Sequence, residues 1–252
     1  MFHAACGRGW RMNAILIPVK EFRESKKRLA PHFSPAERAA LAEALCKDFF
    51  STVAAVRGVD RVFVISKESL ALEWARTFGW QTIRESQQVS ESSSVDAASC
   101  HCAHLRVSSL LRLPIDIPVA EAEDIEAIFD EVDSTPGFVI VPSRDGTGTN
   151  ALLRYPPNLF PSHFGPNSFA LHLAEAQRCG VPARVLRNAR IELDVDEQED
   201  LKSVAGLLRR GSATAKWIES RGSLPQPAKV ADGKEKVLAA SASAKAPESG
   251  GR

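Results

Sequence analysis

No run of 18 or more apolar residues occurs in these 252 residues, which argues against a membrane-spanning helix. The opening segment, Met1 to Arg11, also lacks the apolar stretch of a secretory signal, so the cytoplasm is the expected address. Neither sign of charge is in excess: the formal net charge is +1. Such a chain has no global field to gather nucleic acid or an anionic membrane, so any polyanion site must be built locally. Cysteine is sparse, and Cys6, Cys46, Cys100, Cys102 and Cys179 form no disulfide framework, so reduced thiols are expected. Cys100-His101-Cys102-Ala103-His104 places two thiols and two imidazoles together. However, the cysteines are one residue apart and no second pair follows, so a helix face is a simpler reading than zinc. A G-x-G-x-x-G turn is missing after the first apolar run, where Pro18-Val19-Lys20 stands, and this weakens a nicotinamide-dependent dehydrogenase reading.

What is present is 44% hydrophobic and 25% charged, the balance of a globular domain with one good core. Asn13–Val19, Arg61–Ser66 and Gly137–Pro142 are short continuous apolar runs, the pattern of strands buried on both faces. Between the first two, Ser34, Pro35 and Glu37 form a capping box that opens a helix carrying Leu41, Leu45, Phe49 and Val53. Helices are also expected at Ser69–Phe78, around Val95–Leu105, and at Ala122–Val132, Ser168–Cys179 and Glu197–Arg209. Gln81–Arg84, Ser108–Leu113, Arg184–Arg187 and Ile191–Leu193 are the remaining strand candidates. The alternation predicts an α/β fold with a mostly parallel sheet and helices on both faces. Residues 1–12 read as an extension and 222–252, rich in Ser, Pro, Ala and Lys, as a disordered tail, which leaves 13–221 as the domain.

In such a sheet, ligands gather at the carboxyl ends of the strands. After Val139-Ile-Val-Pro142 comes Ser-Arg-Asp-Gly-Thr-Gly-Thr-Asn150, where Gly146 and Gly148 could let backbone N–H groups converge on an anion. An ordinary Gly-rich hairpin turn fits the same residues. After the first strand, Lys20 and then Ser25-Lys26-Lys27-Arg28 offer positive charge suited to a triphosphate, or simply a solvated basic loop. Asp116, between Pro114 and Pro118 after another strand, has the setting of a metal ligand. Asp194 and Asp196 supply a second acidic point, with helix capping as the plain alternative for Asp196. Phe164-Gly165-Pro-Asn-Ser168 opens a helix, where N–H groups favour anions, although a simple Ser cap would also suit it. Basic groups, carboxylates and anion-binding turns, with no nucleophilic triad, point to phosphoryl or nucleotidyl transfer.

Pro18-Val-Lys20, Ser25-Lys-Lys-Arg-Leu29, Phe33-Ser-Pro35, Pro114-Ile-Asp116, Gly146-Thr-Gly-Thr-Asn150, Phe164-Gly-Pro-Asn-Ser168 and Leu193-Asp-Val-Asp196 together resemble the CofC/FbiD family of guanylyltransferases, in order from about Asn13 to Leu208. The resemblance implies a Rossmann-like nucleotidyltransferase fold. It implies transfer of GMP from GTP to 2-phospho-L-lactate, phosphoenolpyruvate or 3-phosphoglycerate, releasing pyrophosphate, in the biosynthesis of coenzyme F-420. It further implies that Thr149, Gly165 and Ser168 hold the acid, that Asp116 with Asp194 or Asp196 holds Mg2+, and that Lys20, Lys26 and Arg28 face the GTP phosphates. The expected partners are GTP and the acid, not nucleic acid or membrane, and a homodimer is compatible with the reading.

The chain departs from the family pattern between Glu85 and Leu111, where Ser90-Glu-Ser-Ser-Ser-Val-Asp96 replaces a Gly-rich turn and places Asp96 where asparagine is expected. An Asn to Asp change removes donors and adds charge beside the expected polyphosphate. This motivates an alternative reading, a non-catalytic homologue that binds a phosphorylated metabolite.

Overall fold

A computed structural model describes residues 11–132 and 136–222. The expected extension before residue 11 and the expected tail beyond 222 lie outside the described residues. The first strand, β1 (Asn13–Val19), is followed by two short 3-10 turns at Phe22–Glu24 and Lys27–Leu29, and then by α1 (Pro35–Val53). The capping box is formed: Ser34 Oγ accepts from the Glu37 N–H at 3.3 Å, and Glu37 accepts from the Ser34 N–H at 2.8 Å. Then come β2 (Arg61–Ser66), α2 (Ser69–Thr77), β3 (Gln81–Arg84), α3 (Glu91–His104), β4 (Ser109–Arg112) and α4 (Ala122–Asp130). The order closes with β5 (Gly137–Pro142), β6 (Thr149–Tyr155), α5 (Ser168–Arg178), β7 (Arg184–Val185), α6 (Gln198–Ala205) and α7 (Ala213–Glu219).

The seven strands lie in the order β3-β2-β1-β4-β6-β5-β7. All neighbours pair in parallel except β6, which runs antiparallel to both β4 and β5. Side chains alternate across the sheet. Ile15, Ile17 and Val19 of β1 join Val139 and Val141 of β5 in a core shared with α1, α2 and α4. Ala14 and Leu16 face α3 through Val95, Ala98 and Cys102, while Phe138 and Ile140 of β5 pack on Ala176 of α5. Helices therefore cover both faces, as the alternation predicts. The Cys100–His104 cluster lies on α3 and its loop end, with Cys102 in the core and Cys100 exposed. No helix among the described residues is long and apolar enough to cross a membrane.

Three expectations need correction. Ile191–Leu193 is a turn and not a strand: Asn188 Oδ1 accepts from the Arg190 and Ile191 N–H groups, and the Glu192 N–H returns to the Asn188 carbonyl. The loop after β5 is half of a hairpin whose return strand, β6, was not anticipated. The last helix of the domain, α7, was also not anticipated; it packs on α1, where Asp48 accepts from the Ala213 and Thr214 N–H groups at 2.8 and 2.7 Å.

Candidate active site

The strand order reverses between β1 and β4: β2 and β3 follow β1 to one side, and the next strand joins its other edge. In open α/β sheets a crevice forms beyond the carboxyl ends of the strands at this point. Antiparallel β6 begins at the same edge, because Pro142, the last residue of β5, pairs with Thr149. The ends of β1, β4 and β5 and the start of β6 therefore surround one cavity of about 680 Å³. All nine residues expected at the site line it: Lys20, Lys26, Arg28, Asp116, Thr149, Gly165, Ser168, Asp194 and Asp196. A second cavity of about 690 Å³ lies at the opposite end of the sheet beside Asn13, Ser109 and Tyr155, and contains none of them.

The centre of the first cavity is an ion cluster. Lys26 Nζ donates to Asp116 Oδ2 at 2.7 Å, to the Val195 carbonyl at 2.6 Å and to Asp196 Oδ1 at 3.3 Å, and the lysine side chain is only 6% exposed. Burial alone would lower its pKa, but Asp116 and Asp196 outweigh that and raise it, so the ammonium is retained. Asp116 is held below its ordinary value in turn, with Lys26 and Arg112 overcoming its own burial. Lys26, expected to face the GTP phosphates, here turns its ammonium onto the carboxylates. Its backbone is left-handed (φ 55°, ψ 40°), an uncommon conformation for lysine. Lys20 and Arg28 are more open, with side chains 57% and 67% exposed, and pair with Glu91 at 3.4 Å and Asp196 at 3.1 Å.

Among the described residues, Asp194 has no cation partner of this kind. It accepts from Asn150 Nδ2 at 3.1 Å, and burial together with the neighbouring Asp116 charge pushes its carboxyl up to about 6. Asp196 is not the helix cap its position suggests; Glu197 caps α6, and Asp200 accepts from the Asp196 N–H at 3.0 Å. Among the described residues, no three Asp, Glu, His or Cys side chains converge as a ready-made metal cage. The donor set nevertheless suits Mg2+, which binds through one or two carboxylates plus substrate phosphates. Asp194, crowded by like charge, is where an added divalent cation would relieve the most repulsion.

The turn at Ser143–Gly148 is not the anion cradle its composition suggests, because the donors of Ser143, Gly146, Thr147 and Gly148 are already used. The Thr147 N–H and Ser143 Oγ donate to Asp145 Oδ1 at 2.9 and 2.5 Å, and Thr147 Oγ1 donates to Oδ2 at 2.8 Å. The Gly146 N–H goes to the Ser143 carbonyl, and the Gly148 N–H to Ser143 Oγ at 2.7 Å. Asp145 thus takes the place of an external anion, and the hairpin reading of this loop is the correct one. A Cβ at Gly148 would sit 2.7 Å from Ser143 Oγ, so the close approach requires glycine.

Asp145 has a pH signature. The Ser143 hydroxyl, then the Thr147 N–H and hydroxyl, lower its carboxyl to about 2. A carboxylate depressed on folding stabilises above its unfolded pKa near 4, and the effect is lost as pH falls through about 2. Solvent screening at this exposed position limits the contribution to about 1 kcal/mol. Asp145→Ala is expected to lower Tm by about 2–4 °C at pH 7, with the gap closing toward pH 2. Calorimetry showing a gap independent of pH would contradict this.

Several residues of the loop line the cavity, and among them Thr149 is held with Ser168. Ser168 Oγ donates to Thr149 Oγ1 at 3.2 Å, and His172 Nδ1 lies 3.1 Å from the same oxygen. Ser168 is the first residue of α5 and not its cap; Asn167 holds the cap position in a left-handed conformation, without a side-chain cap bond. Gly165, at φ 124°, turns the chain into that helix. Arg112 was missed by the sequence reading because a charged residue inside a short apolar strand looks like noise. Its guanidinium lies 4.1 Å from the centre of the Phe164 ring, donates to the Thr149 carbonyl at 3.2 Å and pairs with Glu91 at the cavity wall.

Asp96 does not line the cavity. Its carboxylate accepts from the Ser162 N–H at 3.0 Å and faces buried Arg154 at 3.5 Å. The charge expected beside the polyphosphate is instead a counter-ion for an arginine that is 2% exposed. Asp96→Asn is expected to lower stability by about 1–2 kcal/mol, discounted for the partial exposure of the carboxylate, while leaving the apparent KM for GTP unchanged. Paired Tm and steady-state measurements check this; a raised GTP KM with unchanged Tm would return Asp96 to the nucleotide.

A mostly parallel sheet with one antiparallel strand inside it, and basic and acidic groups meeting at its switch point, is the architecture of a nucleotidyltransferase-like fold. A candidate nucleotide-diphospho-sugar transferase from Desulfovibrio desulfuricans G20 superposes with a TM-score of 0.69 over 85% of this chain and 97% of that one, at 15% identity. The family described as guanylyl transferase CofC like matches residues 13–238. A phosphoenolpyruvate guanylyltransferase from Rubrobacter xylanophilus is 35% identical over 74% of this chain and 90% of its own length. A 2-phospho-L-lactate guanylyltransferase from Methanothermobacter thermautotrophicus is 33% identical over 75% of this chain and 82% of its own length. The chain belongs to the CofC-like guanylyl transferase family, and it is an enzyme.

Proposed function

We propose that this guanylyltransferase joins the GMP of GTP to a phosphorylated three-carbon acid in the biosynthesis of coenzyme F-420. The acceptor is phosphoenolpyruvate, 2-phospho-L-lactate or 3-phosphoglycerate, the first two being the acids in its relatives' names. The observation that carries the reading is the meeting of all nine residues in one cavity of about 680 Å³, within the size range of small-molecule sites.

The chemistry asks little of a base. A phosphate oxygen of the acceptor attacks the α-phosphorus of GTP, a new P–O bond forms, and the bond to the β-phosphate breaks to release pyrophosphate. The attacking group is already an oxyanion, so the enzyme's task is to bring two polyanions together and absorb their repulsion. Lys20 and Arg28, whose side chains are open to solvent, would meet the triphosphate. Thr149, Ser168 and the Gly165 turn would hold the acid. Lys26 fixes the orientation of Asp116 and Asp196. Asp116 and Asp194 would hold Mg2+, which when bound neutralises phosphate charge and polarises the α-phosphate.

The non-catalytic alternative loses its motive, because the Asp96 carboxylate faces Arg154 rather than the cavity. The reading is compatible with a homodimer and with a cytoplasmic address. The test is a competition assay in which GTP, Mg2+ and equal amounts of the three acids are incubated together and the GMP conjugates are identified by mass. One conjugate should dominate; none from any acid would overturn the reading.

A further inference from the structure

His172 is fully buried on α5, beneath Thr149 and Ser168 and against the rings of Phe160, Phe164 and His163. Hydrogen-bond direction settles its tautomer. The His163 backbone N–H donates to His172 Nε2 at 2.9 Å, so that nitrogen is an acceptor and carries no proton. In the neutral ring the proton then resides on Nδ1, which faces Thr149 Oγ1 at 3.1 Å. Burial, with Arg154, His163 and Arg112 nearby, pushes the imidazole pKa down to about 3, so the ring stays neutral at physiological pH.

A hydroxyl has one proton and two lone pairs. His172 Nδ1–H faces both Thr149 Oγ1 and the Ser168 carbonyl, and Ser168 donates its O–H to Thr149 Oγ1, so neither the ring nor the serine hydroxyl accepts from Thr149. Its own proton cannot go to the ring and must leave in another direction, and Thr149 lines the cavity. If the serine–threonine bond reverses, the unspent proton becomes that of Ser168, which lines the same wall. In both arrangements His172 ensures that the pair presents one hydroxyl donor outward. With the opposite tautomer, Thr149 would donate its proton to the imidazole instead.

We propose that His172 is a positioning residue that makes the Thr149–Ser168 pair an obligate hydrogen-bond donor to the anionic acceptor acid. This rests on the reading that these hydroxyls hold the acid. The group donated to is a carboxylate or phosphate oxygen, and the effect is confined to the acceptor half of the reaction.

Two variants separate this role from mere packing. His172→Asn retains a donor near the Nδ1 position but loses the acceptor for the His163 N–H, and His172→Gln does the reverse. The expected result with phosphoenolpyruvate is an apparent KM raised about tenfold or more in the glutamine variant and within about threefold of wild type in the asparagine variant. The GTP KM should be unchanged in both. Nitrogen-15 NMR of histidine-labelled wild-type protein, read without substrate, should show the Nδ1–H tautomer of His172. An Nε2–H tautomer, the reverse order of the two variants, or equal rises in both KM values would overturn the proposal. Wild-type protein inert toward all three acids would overturn the underlying reading, and the substrate-free spectrum keeps that failure distinct from failure of the tautomer argument.

Discussion

Asp116→Asn is expected to reduce kcat on the order of a thousandfold. The substitution preserves shape but removes the charge that Lys26 holds at 2.7 Å and that lies nearest in effect to Asp194. Two consequences follow. One carboxylate of the proposed Mg2+ site is gone, and the Lys26 ammonium, buried and still charged, is left with Asp196 and the Val195 carbonyl. Removing one partner of a buried pair typically costs about 3–5 kcal/mol, reduced here because two other acceptors remain. Pyrophosphate release and Tm should therefore fall together. A kcat within tenfold of wild type would remove Asp116 from the centre of the chemistry.

Lys26→Met produces the opposite imbalance. Without the ammonium, Asp116, Asp194 and Asp196 share one wall with Arg112 as the remaining buried cation near Asp116, and like charges in a partly dry site destabilise the fold. A loss of roughly 3 kcal/mol, or roughly 10 °C in Tm, is expected. Millimolar Mg2+ should recover part of that loss and raise the variant's Tm more than the wild type's, since a ligand that binds only the folded state stabilises it. Turnover should fall about a hundredfold, because Asp116 and Asp196 lose the group that orients them. Thermal melts with and without Mg2+ check this. A variant as stable as wild type and indifferent to Mg2+ would show that Lys26 is not the internal counter-ion of the cluster.

Local patterns made much of this legible in the sequence. β1, β2 and β5 are continuous apolar runs with turn residues at their ends, and α1 announces itself through Ser34, Pro35 and Glu37. β6 escaped because its buried residues include Asn150 and Arg154, whose polar groups find partners distant in sequence: Asn150 the Ile191 carbonyl, and Arg154 the Ser99 hydroxyl, besides the nearby Phe160 carbonyl. α7 escaped for a related reason. It is short, and two of its first N–H groups are accepted by Asp48, 165 and 166 positions away. α3 begins earlier than expected, at Glu91, because the Ser90 hydroxyl caps a serine run that reads as loop.

At the site, the residue list was legible but its wiring was not. Nothing in Ser-Lys-Lys-Arg reveals that Lys26 turns inward while Arg28 stays open, since that depends on where Asp116 and Asp196 arrive. Nothing in Asp-Gly-Thr-Gly reveals that Asp145 consumes the loop's donors before any phosphate could. His172 gave no signal, because one histidine in a helix is usually ordinary core.

The proposed reaction is divalent-ion-assisted joining of GMP to an acid in the cavity beyond the ends of β1 and β4. Pyrophosphate production from GTP, measured with phosphoenolpyruvate, 2-phospho-L-lactate or 3-phosphoglycerate and with Mg2+ present or chelated, tests it most directly. The predicted result is release with at least one acid, and only when nucleotide, acid and metal are all present. Release without acid, undiminished release under chelation, or no release with any of the three would contradict it.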